Sequence, residues 1–411
     1  MGEVIFDGAY MSSKVRVLHI SKYYYPFAGG TELVARECVR ALQGSVNQSY
    51  EQIVFCFDHG GMKGAQSKVS SDTVDLVDGV KIVRCACQMK VASQSLSFSY
   101  RRRLKAVFKQ FQPDMVVLHY PNPFGTHFLL QFIRPSMKLV VFWHLDIVKQ
   151  KFLGKLFRGQ NIRLLERADA LIAASPNYAE GSPWLSRYPQ KCVIIPDCIH
   201  EEGLQGTADT DRRVQEICDL YQGKILCLAV GRHVEYKGFR YLIESAEYLD
   251  KNYVIVITGN GPLTEELKKQ ARKGSGRVIF AGLISEDDLK AYLKACDIFC
   301  FPSITKNEAF GLALAEAMYC GKPAVTYTIK GSGVNYVSLG GETGIECANR
   351  DSKAYAEAIR TLGEDPELRA RYGRAARRRV EENFLYKQFS EHICELFENL
   401  VSTMEHNTYH E

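Results

Sequence analysis

The segment 307–316 carries two carboxylates, Glu308 and Glu316, eight positions apart around the predicted start of a helix near Phe310. Free backbone N–H groups and the positive end of the helix dipole would face whatever Glu308 contacts. At about 1.5 Å per residue, the two carboxylates lie roughly 12 Å apart along the helix axis, which is too far to share a proton. This spacing favours two contacts with one extended ligand, such as the sugar and the ribose of a nucleotide sugar.

Residue types that bind phosphate occur in the segment 230–239, after a predicted strand and before a predicted helix. Gly231 lets the backbone approach a ligand, and Arg232 can donate two hydrogen bonds to phosphate oxygens. Lys237 adds a positive charge beside a helix start at Gly238. Alone, this pattern also fits a glycine-bounded surface turn with solvated cations. Because both carboxylates follow later strands of the same predicted sheet, we favour a diphosphate site.

The first half of the chain has candidate site residues at the ends of predicted strands. Gly29 and Gly30 follow one strand and open a helix, whereas His119 and His144 each end a strand. Ligands of open α/β sheets bind outside the carboxyl ends of the strands. A glycine pair here also fits an ordinary turn, and a lone histidine is usually structural. Two histidines at strand ends, with a proline or an acid just beyond, favour places in a site.

Short β-branched runs alternate with helical stretches along the chain, which predicts mainly parallel sheets flanked by helices. The fold class is therefore α/β, with a second sheet of the same kind in the second half. A helical end is predicted at 352–362, 367–382 and 384–403. The predicted strands are 15–21, 52–57, 81–85, 115–119, 138–143, 170–174, 192–195, 225–230, 253–258, 278–281, 298–301 and 324–326.

The chain has 411 residues and is 46% hydrophobic, which is too long for one ordinary core and suits two domains of about 200 residues. The segment 197–222 is polar and irregular, as in a linker. We predict a loose tail at 1–13, a first domain at 14–200, a second at 201–383, and a C-terminal helix at 384–411 that crosses back toward the first domain. Asp209-Thr210-Asp211 imitates an Asp-x-Asp metal motif, but we interpret it as solvated surface.

Composition limits the classes of protein and the compartment. Thirteen cysteines without a Cys-x-x-Cys pair or a signal peptide predict reduced thiols, no metal site and a cytoplasmic protein. No apolar run is long enough to span a membrane. The net charge is +5, but residues 1–200 hold 25 Lys and Arg against 15 Asp and Glu, and clustered basic residues there fit contact with anionic lipid headgroups or merely solvated helix faces. These basic residues are Arg101, Arg102, Arg103, Lys105, Lys109, Lys149, Lys151, Lys155 and Arg158.

Four motifs in order carry a resemblance to a known family: Gly-Arg-x4-Lys-Gly from Gly231, Gly-x-Gly-Pro from Gly259, Phe-Pro-Ser from Phe301, and Glu-x7-Glu from Glu308. In this order the chain resembles the retaining glycosyltransferases of family 4 over nearly its whole length, especially their bacterial surface-polysaccharide and lipopolysaccharide branch. The resemblance implies a GT-B fold, in which two Rossmann-like domains face each other across a cleft. The second domain then holds the nucleotide sugar.

The resemblance also implies roles for individual residues. Arg232 and Lys237 would bind the diphosphate of the donor, Glu308 the sugar hydroxyls, and Glu316 the ribose. We place His144 with Glu308 among the catalytic residues. Further donor contacts are implied for Gly29, Gly30, Leu283 and the backbone of Phe310, Gly311 and Leu312, and an acceptor-side place is predicted for His119.

The implied activity is transfer of a hexose with retention, without a cofactor or metal, onto a glycan or lipid-linked acceptor. Mannose from GDP-mannose is our first expectation and glucose from UDP-glucose the second, and no nucleic-acid partner is expected. The alternatives are a non-catalytic nucleotide-sugar-binding protein and a glycan phosphorylase that uses pyridoxal phosphate. A dinucleotide oxidoreductase is disfavoured because no Gly-x-Gly-x-x-Gly opens either sheet.

Overall fold

The computed structural model describes residues 14–27, 29–58, 71–91, 94–147 and 157–408. The predicted tail at 1–13 and the basic residues Lys149, Lys151 and Lys155 lie outside these ranges. The chain divides into two compact units, one of residues 1–172 with 390–411 and one of residues 173–389. The domain boundaries at 200 and 383 stay predictions.

The first sheet consists of buried, β-branched and aromatic strands that pair mainly in parallel. Its strands are β1 (Val15–Ile20), β2 (Tyr50–Phe57), β3 (Thr73–Val77), β4 (Val80–Cys85), β7 (Met115–Tyr120), β8 (Lys138–Trp143), β9 (Ala170–Ala173) and β10 (Cys192–Ile194). They are ordered β10-β9-β8-β7-β1-β2-β4-β3, and the edge strand β3 is antiparallel to β4. A separate hairpin pairs β5 (Met89–Val91) with β6 (Gln94–Leu96).

The second sheet is wholly parallel in its paired strands and packs within one large hydrophobic core. Its strands are β11 (Ile225–Val230), β12 (Tyr253–Thr258), β13 (Val278–Gly282), β14 (Ile298–Phe301), β15 (Ala324–Tyr327) and β16 (Gly344–Cys347). They are ordered β13-β12-β11-β14-β15-β16. Nearly continuous apolar sequences such as that of β12 are expected for parallel strands covered on both faces.

Helices connect most of the parallel strands, as crossover connections require. In the first half they are α1 (Gly30–Gln43), α2 (Tyr100–Phe111), α3 (Pro123–Phe132), α4 (Arg158–Arg167) and α5 (Pro176–Gly181). In the second half they are α6 (Glu201–Leu204), α7 (Ala208–Leu220), α8 (Phe239–Ser245), α9 (Thr264–Arg272), α10 (Glu286–Ala295), α11 (Leu312–Tyr319), α12 (Val334–Val337), α13 (Ser352–Glu364), α14 (Pro366–Asn383) and α15 (Tyr386–Thr408).

One expectation about local structure was wrong. The segment 197–222 is not an irregular linker, because α6 and α7 occupy much of it. Thr207 caps α7 through a reciprocal bond with Thr210, and Ile217 is buried, so a short polar sequence still forms an anchored helix. The helix expected near Phe310 begins two residues later, at Leu312. Asp209 and Asp211 are exposed, as predicted.

Both sheets have a point where the strand order reverses direction along the chain. In the first sheet, β1 lies between β2 and β7; in the second, β11 lies between β12 and β14. At such a switch point the connections leave the two neighbouring strands in opposite directions, which opens a crevice at their carboxyl ends. The loops that follow β1, β7, β11 and β14 are therefore the ones positioned to form sites.

Candidate functional site

The loops after β11 and β14 bring two predicted donor-site residues, Lys237 and Glu308, together at the switch point of the second sheet. Lys237 in the first loop and Glu308 in the second form an ion pair, with 2.5 Å between Nζ and Oε2. Their side chains are only 13% and 11% exposed, so the pair interacts in a medium less polar than water. The Lys237 ammonium has three N–H donors, and the ion pair leaves others for a ligand.

Ser303 holds the carboxylate of Glu308 from the other side. Its hydroxyl donates to Glu308 Oε2 at 2.9 Å, and the serine is completely buried. Hydrogen bonds to charged groups contribute about 1.5–3 kcal/mol. One oxygen of Glu308 is thus held by an ammonium and a hydroxyl together, which fixes the direction of the carboxylate.

The backbone of Glu308 is also fixed. Ser332, which is fully buried, donates through Oγ to the carbonyl oxygen of Glu308. The next residue, Gly333, lies so close to the following peptide that a Cβ there would stand 1.9 Å from the oxygen of Ala309. The loop after β14 therefore packs directly on the loop after β15, and a side chain at position 333 would separate them.

The two donor loops are joined by backbone contacts. The amide of Ile304 donates to the carbonyl of Tyr236 at 2.9 Å. Gly238 has φ +67°, and a Cβ there would lie 2.0 Å from the carbonyl oxygen of Pro302. Only glycine meets both demands, because it tolerates positive φ and has no side chain. Burial raises the pKa of Tyr236, and the nearby charge of Glu308 raises it further.

Gly311 and Phe310 precede the start of α11 and have different surroundings. Gly311 caps the helix with φ +108°, and Phe310 is buried in edge-to-face contact with Phe384, with 5.3 Å between ring centroids. The Phe310 side chain is therefore part of the core, and only backbone groups of the predicted contacts Phe310 and Gly311 are placed to meet a sugar or phosphate. Leu312 is the first residue of the helix and is half-buried.

Glu316 lies in the second turn of α11, as predicted, and is half-buried. Burial raises the pKa of its carboxyl to about 7. Among the described residues, none donates a hydrogen bond to this carboxyl or pairs with it. A partly desolvated acceptor without a protein donor is suited to accept hydroxyl groups from a ligand.

Arg232 and Leu283 are exposed after β11 and β13 respectively. In the described part of the chain, Arg232 has no ion-pair partner. The loops after β11 and β12 are close, since a Cβ on Gly259 would lie 2.2 Å from the oxygen of Gly231, and His233 N donates to Asn260 O at 2.9 Å. Leu283 is 75% exposed, so its side chain is accessible to a ligand; its predicted place beside a nucleotide base stays a prediction.

In the first unit, the structure brings His119 and His144 into contact. His119 lies in β7 and His144 follows β8, with 3.1 Å between His119 Nδ1 and His144 Nε2. Burial lowers the pKa of His144 to about 3 and holds that of His119 well below its usual range. Both imidazoles are therefore neutral at pH 7.

The carboxyl group of Glu32 lies close to the glycine loop after β1. Gly29 caps α1, which begins at Gly30. A Cβ on Gly29 would stand 2.3 Å from Glu32 Oε2, so a side chain at this position would displace the carboxyl group of Glu32. Burial raises the pKa of Glu32 to about 7, and the charge of Lys22 opposes that shift.

Sequence reasoning assigned no role to Ser303, Ser332 or Glu32, although Ser303 ends the Phe-Pro-Ser motif. Each is a polar residue buried beside a predicted site residue. Ser303 is the second residue after the buried strand β14, a position that could have indicated a role. The contacts of Ser332 and Glu32 come from chain geometry that no spacing in the sequence reveals. No helix in the described ranges is long and apolar enough to cross a membrane. Within those same ranges, no cluster of three or more His, Cys, Asp or Glu could hold a metal ion.

Family models match both halves of the chain. The model for Glycosyltransferase Family 4 matches residues 28–202. The model for Glycosyl transferases group 1 matches residues 212–379. The second range contains Arg232, Lys237, Glu308 and Glu316, and the first contains the glycine loop and both histidines.

Relatives and solved structures match over most of the chain. O-antigen chain mannosyltransferase C of Escherichia coli is 30% identical over 392 residues, 95% of this chain and 99% of its own. D-rhamnosyltransferase WbpZ of Pseudomonas aeruginosa is 34% identical over 349 residues, 81% of this chain and 87% of its own.

Sucrose-phosphate synthase from Thermosynechococcus elongatus superimposes with a TM-score of 0.76 at 19% identity, covering 95% of this chain and 100% of that one. Anabaena Alr3699/HepE in complex with UDP-glucose gives 0.73 at 17% identity, covering 93% and 99%. These likenesses confirm the predicted GT-B fold with two Rossmann-like domains. From its motifs, both family models and a 30% identical relative that it covers almost completely, the chain belongs to glycosyltransferase family 4.

Proposed function

We propose that this glycosyltransferase transfers a hexose, with retention of anomeric configuration, from a nucleotide sugar to a glycan or lipid-linked acceptor of a bacterial surface polysaccharide. The observation that carries the proposal is the ion pair of Lys237 with Glu308 at the switch point of the second sheet. Arg232 stands in the same loop as Lys237, and Glu316 follows in the helix after Glu308. The proposed phosphate-binding cations therefore come after β11, and the proposed sugar-binding and ribose-binding carboxylates come after the neighbouring strand β14.

The reaction breaks the bond between the anomeric carbon and the diphosphate oxygen and forms a bond from that carbon to the acceptor oxygen. Negative charge develops on the leaving diphosphate, where Lys237 and Arg232 would stabilise it without a metal ion. Glu308 would hold sugar hydroxyls and favour the positive charge on the ring. We propose attack from the same face, with the proton of the acceptor hydroxyl passing to the leaving phosphate oxygen. Trapping of a glycosyl group on Glu308 would contradict this route.

GDP-mannose is the proposed donor, with UDP-glucose second. One relative is named a mannosyltransferase and another a D-rhamnosyltransferase, and D-rhamnose is D-mannose without the hydroxyl at carbon 6. These two names support a sugar of the manno configuration. The UDP-glucose complex of Alr3699/HepE supports the second choice.

The donor is tested with a panel of nucleotide sugars against the purified full chain. A ligand that binds the folded state stabilises it by RT ln(1 + [L]/Kd), so the true donor raises the midpoint of thermal unfolding most. We expect GDP-mannose to give the largest shift, and nucleoside diphosphate to be released when an acceptor is added.

The alternatives have different outcomes in the same assay. Release of a sugar phosphate from a glycan with inorganic phosphate would favour a phosphorylase. Normal binding of a nucleotide sugar without transfer to any acceptor, including lipid-linked glycans from membranes, would favour a non-catalytic binding protein.

We propose in addition that the enzyme acts in the cytoplasm at an anionic membrane face. In the described ranges, Arg102, Lys105 and Lys109 of α2 are exposed and without acidic partners. Beside α2 lies a groove of about 570 Å³ between the helix and the sheet edge. Val74 and Leu76 of β3 line it and are 52% and 75% exposed. Exposed cations on α2, together with exposed apolar side chains on the sheet edge that shares this groove with α2, fit a lipid surface.

A further inference from the structure

The paired imidazoles of His119 and His144 carry an inference about where their protons lie. Only one proton can occupy the 3.1 Å contact between His119 Nδ1 and His144 Nε2 while both rings are neutral. Either His119 donates and His144 accepts, or the reverse. The proton of a neutral histidine is placed by the hydrogen bond that the other ring nitrogen makes.

A third histidine, His19 of β1, lies near His119 but makes no hydrogen bond with it. Gln52 Nε2 donates to the carbonyl of Val39 at 3.0 Å, so its Oε1 faces His19 Nε2 at 2.9 Å. His19 therefore carries its proton on Nε2 and leaves Nδ1 as a lone pair. The rings of His19 and His119 are nearly parallel, with centroids 6.4 Å apart and no hydrogen bond between them.

The buried face of His119 decides between the two arrangements. His119 is completely buried, and its Nε2 has no hydrogen-bond partner in the part of the chain that the structure describes. A proton on Nε2 would leave a buried N–H donor unsatisfied, whereas a proton on Nδ1 leaves only an unshared lone pair. Orphaned buried N–H donors are rarer than under-satisfied acceptors. The proton of His119 therefore belongs on Nδ1, from which it is donated to His144.

We propose that His119 is a positioning residue that fixes the proton of His144 on Nδ1. His144 is half-buried, and its Nδ1 has no hydrogen-bond partner among the described residues. His144 then presents a neutral N–H donor of fixed direction to an oxygen atom of a bound molecule. It does not act as a general base, because its accepting nitrogen is occupied by His119.

The identity of that oxygen rests on the proposed function, in which it belongs to the transferred sugar or to the acceptor. The proton arrangement itself does not depend on it. The proposed function and the proposed proton arrangement can therefore fail separately. Absence of transfer by the wild-type enzyme would contradict the proposed function and leave the proton arrangement untouched.

The proton positions are read from a long-range ¹H–¹⁵N spectrum of the full ¹⁵N-labelled chain, because protonated and unprotonated ring nitrogens have widely separated shifts. We expect both His119 and His144 to be protonated on Nδ1 in the wild-type protein without ligand. A His144 ring protonated on Nε2 would overturn the proposal, and no variant is needed for this result.

The His119→Phe variant tests the link between the two rings, since it keeps the aromatic stack and removes the donor. We expect His144 to move toward the Nε2–H form and kcat for transfer to fall about tenfold, which corresponds to roughly 1.4 kcal/mol, with the donor KM nearly unchanged. His127→Phe is the control, because His127 is an exposed histidine of α3. An unchanged His144 tautomer in His119→Phe would contradict the positioning role.

Discussion

At the scale of single residues, Glu308 is held more completely than its motif indicates. Its carboxylate contacts Lys237 and Ser303, and its carbonyl accepts from Ser332. The Glu-x7-Glu spacing and the glycine–arginine–lysine motif led from the sequence to Lys237, Glu308 and Glu316. Ser303 ends the Phe-Pro-Ser motif, but sequence reasoning assigned neither serine a role, because that role depends on hydrogen-bond direction and burial.

Ser303→Ala tests whether the direction of Glu308 matters to the reaction. The variant loses a hydrogen bond to a charged group and leaves one carboxylate oxygen held by Lys237 alone. We expect kcat to fall at least about tenfold while the affinity for nucleoside diphosphate changes little. Steady-state kinetics and calorimetric titration measure the two quantities. Equal losses in kcat and affinity would indicate a general disturbance of the loop instead.

The raised pKa of Glu316 predicts a pH dependence of donor binding. With a pKa of about 7, the carboxyl is mostly protonated at pH 6 and mostly ionised at pH 8. In the proposed ribose contact, the ionised form would accept hydrogen bonds from both ribose hydroxyls, so we expect binding to strengthen as pH rises. Relative to Glu316→Gln, wild-type affinity should increase up to about tenfold between pH 6 and 8. Because phosphate titration affects both proteins alike, parallel pH profiles would argue against the ribose contact.

At the scale of secondary structure, buried elements were predictable and exposed ones were not. The apolar sequences of β11, β12 and β14 gave their bounds directly, because strands covered on both faces contain little else. The edge strand β3, the short hairpin of β5 and β6, and β16 were missed. In β3, an aspartate interrupts the apolar residues, and Val74 and Leu76 are exposed, so no continuous apolar run marks the strand. The longer helix in 197–222, α7, is held by its capping residues and by a few buried side chains, and this signal is weak in a polar sequence.

Gly238→Ala tests the close approach of the two donor loops. Positive φ costs a non-glycine residue roughly 1–2 kcal/mol, and here Cβ would also stand 2.0 Å from Pro302 O. We expect a drop in thermal midpoint together with weaker nucleotide binding. Gly223→Ala is the matched control, since Gly223 has φ +74° and nothing within 4 Å of its Cβ position. The Gly223→Ala variant should lose little in thermal midpoint and should bind nucleotide normally. Identical behaviour of the two variants would contradict the packing argument.

At the scale of the whole molecule, the fold and the family followed from sequence, whereas donor and acceptor do not. Parallel β/α alternation predicted two Rossmann-like domains, and the order of four motifs predicted family 4. The transferred sugar is selected by the exact positions of a few polar groups, and no spacing in the sequence encodes those positions. Contact with membranes likewise depends on which surface charges lie together.

Sedimentation with vesicles tests the proposed membrane contact. Replacement of Arg102, Lys105 and Lys109 by alanine should abolish most binding to vesicles with anionic lipid, because each cation near the surface contributes about 1 kcal/mol. Binding should also weaken as salt increases. The control replaces Arg371, Arg374 and Arg378 of α14, which are exposed as well, with the same change in net charge. Equal losses in both triple variants would indicate a non-specific charge effect.

The most direct test of the central claim compares Glu308→Gln with Lys237→Ala in transfer and in nucleoside diphosphate affinity. Glu308→Gln should reduce transfer at least about a hundredfold and leave most nucleotide affinity, because the diphosphate cations remain. Lys237→Ala should weaken nucleotide binding as well, roughly tenfold or more, since it removes a phosphate donor and leaves Glu308 unpaired. Glu286→Gln and Lys251→Ala, both exposed, should behave as wild type. Near-normal transfer and affinity in both site variants would contradict the assignment of the donor site.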